Sequence, residues 1–255
     1  MKESENLRTP LIAGNWKMFK TAAEARETAA QLIQLVDDVK NVEIMIAPPF
    51  TSLSVVAEII QNSRVGLGAQ NLHWAKEGAF TGEISASMLV SAGCEYVIIG
   101  HSERRQYFGE TDETVHQKLH AAIQAGLIPI LCVGETGTQR DEKKTFSVLD
   151  KQMENGLEKL TFDAYHLLVV AYEPVWAIGT GKTASPDQVQ EVHLYLRRHI
   201  EKQFGEALAK ATRILYGGSV KPNNITELMA LPDVDGALVG GASLQPDVFS
   251  KIIHF

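Results

Sequence analysis

Along this chain, short unbroken apolar runs alternate with longer stretches in which apolar and charged residues recur at helical spacing. The runs are Leu11–Gly14, Ile44–Ala47, Val65–Ala69, Tyr96–Gly100, Leu127–Val133, Leu167–Tyr172, Ile214–Gly217 and Ala237–Gly240, eight in all. Each is rich in Val, Ile and Leu and lacks period-two alternation, the pattern of strands buried on both faces of a parallel sheet.

The stretches between them carry helix punctuation. Thr21 followed by Glu24 forms a capping-box pattern opening a helix to Val36. A second helix is expected from Thr111 to Ala125, stopped by Gly126. Ser185-Pro186-Asp187 sets a cap residue before a proline at the first helical position, and Lys221-Pro222-Asn223 and Leu244-Gln245-Pro246-Asp247 predict further starts.

Strand then helix, eight times in 255 residues, is the size and order of a single (β/α)₈ barrel, a parallel eight-stranded barrel surrounded by helices. A doubly wound sheet also alternates, but its GxGxxG turn after the first strand is missing; Asn15-Trp16-Lys17 stands there instead. No linker or composition shift divides the chain. Residues 1–9 read as a short polar, disordered tail and 10–255 as the barrel domain.

Composition narrows the partners. A net charge of -7 argues against nucleic acid and anionic membranes as partners. It leaves room for a small anion held by a few local donors. No apolar stretch approaches the roughly 20 residues of a membrane span, and the N-terminus lacks a secretion signal. The two cysteines, Cys94 and Cys132, share no metal or redox spacing. A cytoplasmic protein with free thiols is the expectation.

A barrel of this kind carries its chemistry where strands end. There the sequence offers Asn15 and Lys17 after the first strand, His101 and Glu103 after the fourth, and Glu173 after the sixth. Two glycine-rich turns follow, Gly217-Gly218-Ser219 and Gly240-Gly241-Ala242. Glu173 directly follows an apolar run, and desolvation there should raise its pKa toward that of a general base; the plainer reading is a carboxylate paired with an arginine. Ser102-Glu103 reads as a helix start, whose N–H donors would hold His101 neutral, although a lone histidine is more often structural. Lys17, unless merely solvated, would offset negative charge at the same mouth. The glycine turns suit a phosphate. Pro174 to Ala184, bearing Trp176 and Ile178, reads as a lid, with a permanently packed loop as its alternative. No second histidine stands at ligand spacing, so no metal is expected.

With these residues in place, the chain resembles the triosephosphate isomerase family. The resemblance is carried by Gly14-Asn15-Trp16-Lys17-Met18, Gly78-Ala79-Phe80-Thr81-Gly82-Glu83, Gly100-His101-Ser102-Glu103-Arg104-Arg105, Ala171 through Gly181, and Tyr216-Gly217-Gly218-Ser219-Val220, in the family's order. It implies interconversion of dihydroxyacetone phosphate and glyceraldehyde 3-phosphate, a step of glycolysis and gluconeogenesis, without a cofactor. Glu173 would be the base, His101 the proton donor to the oxygens, and Lys17 and Asn15 the oxyanion stabilisers, with Glu103 partnering Lys17. A carboxylate base working with a neutral imidazole is a known property of that family, and it comes to these residues through the resemblance alone. Phosphate would rest on Gly179, Ser219, Gly240 and Gly241 beneath a lid containing Pro174, Trp176, Ile178 and Thr180. A homodimer is implied, with Thr81 entering the neighbour's pocket and Met18 close to the interface. The segment Thr138-Gln139-Arg140-Asp141 departs from the family pattern and is expected to be peripheral. Three rivals remain: a Schiff-base aldolase using Lys17, a silent scaffold on the same barrel, and a metal-dependent epimerase.

Overall fold

The computed structural model describes residues 8–160, 168–178 and 183–255. Eight parallel strands close into a barrel in chain order: β1 (Leu11–Asn15), β2 (Glu43–Ala47), β3 (Val65–Ala69), β4 (Tyr96–Ile99), β5 (Ile128–Val133), β6 (Val169–Tyr172), β7 (Arg213–Tyr216) and β8 (Gly236–Val239). Closure comes from β1 pairing with both β2 and β8, Leu11 lying opposite Glu43 on one side and Gly236 on the other.

Two cores follow from the alternation of side chains along each strand. Leu11, Ala13, Met45, Tyr96, Ile98, Ile130, Cys132, Val169, Ala171, Leu215 and Leu238 fill the barrel. Their neighbours of opposite parity, such as Ile12, Ile46, Val97, Leu131, Val170 and Ile214, pack outward against the helices. This is why the strands read as continuous apolar runs. Parity also sets the site: Asn15 continues Leu11 and Ala13, and Glu173 continues Val169 and Ala171, so both emerge at the mouth.

The helix caps are built from the punctuation. Thr21 and Glu24 close a capping box on Ala22–Leu35, Thr111 and Thr114 one on Asp112–Gln124, and Ser185 and Gln188 one on Pro186–Phe204 with proline in its first turn. One start moves: Asn224 Oδ1 accepts the Lys221 N–H at 2.8 Å, forming a turn there, and the helix begins only at Ile225. No helix among the described residues is long and apolar enough to cross a membrane.

Candidate active site

The C-terminal mouth holds a cavity of about 260 Å³. Asn15, Lys17, His101, Glu173, Ile178, Ser219, Gly240 and Gly241 all line it.

Lys17 is held in an unusual backbone. Its φ is +51°, a left-handed conformation that costs a non-glycine residue about 1 kcal/mol. Three contacts impose it: Asn15 Oδ1 accepts its N–H at 3.0 Å, and Gln70 Nε2 bridges the carbonyls of Lys17 and Ala47 at 2.8 Å each. The ammonium donates to Glu103 Oε1 at 2.5 Å. Its stem lies beside the Gly240 backbone, 3.3 Å from where a Cβ would stand. Lys17 therefore spans from β1 to the β8 turn.

His101 is positioned by Gly100, where β4 turns into the helix Ser102–Tyr107. Gly100 adopts φ +75°, donates its N–H to Glu110 Oε2 at 3.1 Å and accepts from Arg105 Nε at 2.8 Å. Glu110 is buried and also accepts from Lys118, which reaches Asn71 at 2.8 Å. His101 caps the helix: its Nδ1 accepts the Glu103 N–H at 3.2 Å. Its Nε2 lies 3.0 Å from Glu173 Oε1. A neutral ring with the proton on Nε2 satisfies both contacts.

Glu173 is 2% exposed, and its second oxygen accepts the Ser102 N–H at 2.9 Å. Its partners are thus an imidazole and a backbone N–H, where the plainer reading had an arginine. Its pKa departs from the sequence expectation. Burial pushes it up, but His101, the Ser102 N–H and Lys17 together hold it below the ordinary carboxylate value. Conversely, burial pushes the His101 pKa down, and the adjoining charges of Glu173 and Glu103 carry it above its ordinary value.

Of the residues expected to form a lid, Pro174, Trp176 and Ile178 are described, whereas Gly179 and Thr180 lie outside the described residues. Val175–Ala177 forms a 3₁₀ turn. Trp176 Nε1 donates to Glu135 at 3.0 Å rather than forming a bare apolar tip. Glu135 is fully buried and also accepts the Tyr172 hydroxyl at 3.2 Å and Arg140 at 2.9 Å. The Arg140 guanidinium lies over the Trp176 ring, 4.8 Å from its centre. The segment expected to be peripheral thus reaches Trp176, just past β6, through a long-range residue pair that no local pattern announces.

Two glycines explain how Glu173 is seated. A Cβ on Gly134 would stand 1.7 Å from the Glu173 carbonyl oxygen, and one on Gly217 would stand 2.9 Å from Glu173 Cγ. Gly134, Glu135 and Gln70 carry no motif signal; only their positions at or just beyond strand ends could have flagged them. Met18 and Thr81 are exposed and do not line the cavity. Among the described residues no group of three or more His, Cys, Asp or Glu is arranged to hold a metal.

Comparison with known proteins agrees with this geometry. The family model described as triosephosphate isomerase matches residues 10–255. The chain is 56% identical to the triosephosphate isomerase of Geobacter metallireducens, covering 98% of this chain and 99% of that one. It is also 56% identical, with the same coverage, to that of Trichlorobacter lovleyi. A crystal structure of triosephosphate isomerase from Bartonella henselae superposes with a TM-score of 0.87 at 40% identity, covering 96% of this chain and 99% of the other. With a matching family model over nearly its whole length, relatives above half identity and the same closed barrel, this chain belongs to the triosephosphate isomerase family.

Proposed function

We propose that the chain interconverts dihydroxyacetone phosphate and D-glyceraldehyde 3-phosphate through an enediol(ate), serving glycolysis and gluconeogenesis in the cytoplasm. The observation that carries this reading is the pairing of Glu173 with His101 in a cavity that also holds Lys17 and is bounded by the turns after β7 and β8.

In the resting site both carboxylate oxygens are occupied, one by His101 and one by the Ser102 N–H. Substrate entering among these donors replaces the contacts. Glu173 then takes the carbon-bound proton and returns it to the neighbouring carbon. Separating the carboxylate from Nε2 weakens the main causes raising the imidazole's pKa, leaving burial, the largest influence and a lowering one, with Lys17 against the smaller raising effect of Glu103. His101 thus acts as a neutral donor to the substrate oxygens, matching its Nδ1 contact with a backbone N–H. Lys17 and Asn15 face the developing oxyanion, where a fixed charge in a water-poor site is most effective.

Ser219, Gly240 and Gly241, which line the cavity, are the phosphate cradle; Gly179, which the family resemblance adds to it, lies outside the described residues. Ile178 already lines the cavity, so lid closure places an apolar side chain over the intermediate and excludes water. The chemistry asks for no metal or organic cofactor. Lys17 donates to Glu103, so imine formation would first have to break that ion pair; this disfavours the aldolase reading.

The active unit is a homodimer. Met18 is 93% exposed and Phe19, Phe80, Tyr107 and Phe108 are also exposed, an apolar set that a second copy would cover, bringing Thr81 to its neighbour's mouth. Turnover of glyceraldehyde 3-phosphate with chelator present, followed by borohydride with substrate, tests the reading. Rapid conversion without a trapped adduct is expected. A folded protein without turnover, or an adduct at Lys17, would overturn it.

A further inference from the structure

We propose that Gln152 is a positioning residue for the isomerisation, its carboxamide standing in for a missing strand neighbour and fixing the backbone on which Glu173 is seated. The inference rests on the isomerase reading and adds to it a residue outside the mouth.

Strands β4 and β5 part just below the mouth. Their register ends at Ile99 opposite Leu131, because Gly100 gives its N–H to Glu110 and its carbonyl to Arg105. On the other side β5 stays tied to the β6 segment: Val133 O accepts from Glu173 N at 2.8 Å and Glu135 O from Val175 N at 3.1 Å. Successive residues of a parallel strand address opposite neighbours, so the N–H and carbonyl of Gly134 face the side that β4 has left. A cavity of about 240 Å³ opens there, lined by Gly100, Ser102, Cys132, Gly134 and Glu173 among others.

Gln152 fills the gap in hydrogen bonding. Its Oε1 accepts the Gly134 N–H at 2.8 Å and its Nε2 donates to the Gly134 carbonyl at 3.2 Å. One side chain thereby satisfies two backbone groups that would otherwise be left unpaired in a half-buried cleft. It comes from the helix Thr145–Leu157, whose Leu149, Met153 and Gly156 are buried and fix the face it projects from. The glycine it holds lies against the Glu173 carbonyl with no room for a Cβ, so displacement of Gly134 moves the base. The next residue, Glu135, receives Tyr172 and Trp176, so the same clamp supports the start of the lid. Gln152 does not line the substrate cavity.

The test compares Gln152→Met and Gln152→Glu with the parent, alongside Val192→Ala at a buried position that does not line the substrate cavity. Gln152→Met should lower kcat about tenfold with KM within about twofold, since positioning errors of an ångström act on rate. In Gln152→Glu the carboxylate opposes the Gly134 carbonyl, while its protonated form restores both donor and acceptor. The ratio of its kcat to the parent's should therefore rise as pH falls through the titration of the new carboxyl. That pH-dependent recovery is independent of whether Gln152→Met folds.

The proposal is overturned by a kcat within twofold of the parent in Gln152→Met, or by a loss carried by KM. It is equally overturned by a pH-independent ratio in Gln152→Glu, or by the same kcat loss in Val192→Ala at matched melting temperature. A parent without turnover would instead sink the isomerase reading itself, so the two failures are distinguishable.

Discussion

Asp235 at the N-terminal end of the barrel and Glu173 at the C-terminal mouth are both buried carboxylates, but they are satisfied in different ways. At the N-terminal end Arg197 donates to Asp233 at 2.6 Å, Asp235 at 2.5 Å, and the carbonyls of Ala209 and Thr212 at 2.8 and 3.0 Å. Asp235 also accepts from Arg8 at 2.6 Å and from the Ile214 N–H at 2.8 Å. Each charge there meets a permanent opposite charge or a backbone group. At the C-terminal mouth Glu173 meets an imidazole and one backbone N–H, donors that a substrate oxygen can draw away from the carboxylate. Burial of charge alone therefore does not mark a functional site. What matters is whether its partners can be exchanged.

Several measurements would break or sharpen that contrast. The largest effect is expected at the mouth: Glu173→Gln should lower turnover by on the order of 10⁴-fold, about 5 kcal/mol of transition-state stabilisation, while the melting temperature changes little. Steady-state kinetics beside a thermal melt check both halves. At the other end Arg197→Met should do the reverse, costing about 4 kcal/mol of stability because it strands buried carboxylates. Denaturant unfolding should show the loss, and kcat of the folded fraction should stay within twofold.

A third prediction concerns pH. His193 is fully buried with Nδ1 3.1 Å from the Asp233 carbonyl, and burial pushes its pKa down to about 4 from 6.5. Its folded pKa is depressed, so the unfolded chain takes up the proton first as pH falls. Stability should therefore decline between pH 6.5 and 4, by about 3 kcal/mol from this residue. Unfolding midpoints across that range should show a shallower decline in His193→Gln. The smallest effect is on Glu173 itself: its carboxyl should titrate below the ordinary 4.5, and His101→Asn should move it upward. Carbon-13 NMR of the carboxyl would resolve the direction.

The same contrast bears on what can be read from the chain. Strands buried on both faces leave uninterrupted runs, so β1 to β8 are legible, with differences of a residue or two at their ends, as at Leu127 before β5. Asn15, Lys17, His101 and Glu173 are legible as candidates because each stands at or just past the end of a run. Their contacts are not. The lowered pKa of Glu173 depends first on His101, which lies two strands earlier in the chain. Gln152 and Glu135 sit in segments whose local pattern is only that of a helix or a loop. Gly134 resembles any strand-end glycine until the Glu173 carbonyl is brought against it. Long-range packing leaves no local periodicity, and that is why these contacts escape a reading of the sequence.

The central claim is that the Glu173 carboxylate carries the carbon-bound proton. Its most direct test is isomerisation of glyceraldehyde 3-phosphate in D₂O, followed by NMR for the parent and Glu173→Gln. The parent should convert substrate and place deuterium on carbon, whereas Glu173→Gln should do neither at a comparable rate while still binding inorganic phosphate. Exchange by Glu173→Gln within about tenfold of the parent, a difference of only about 1.4 kcal/mol, would contradict the assignment.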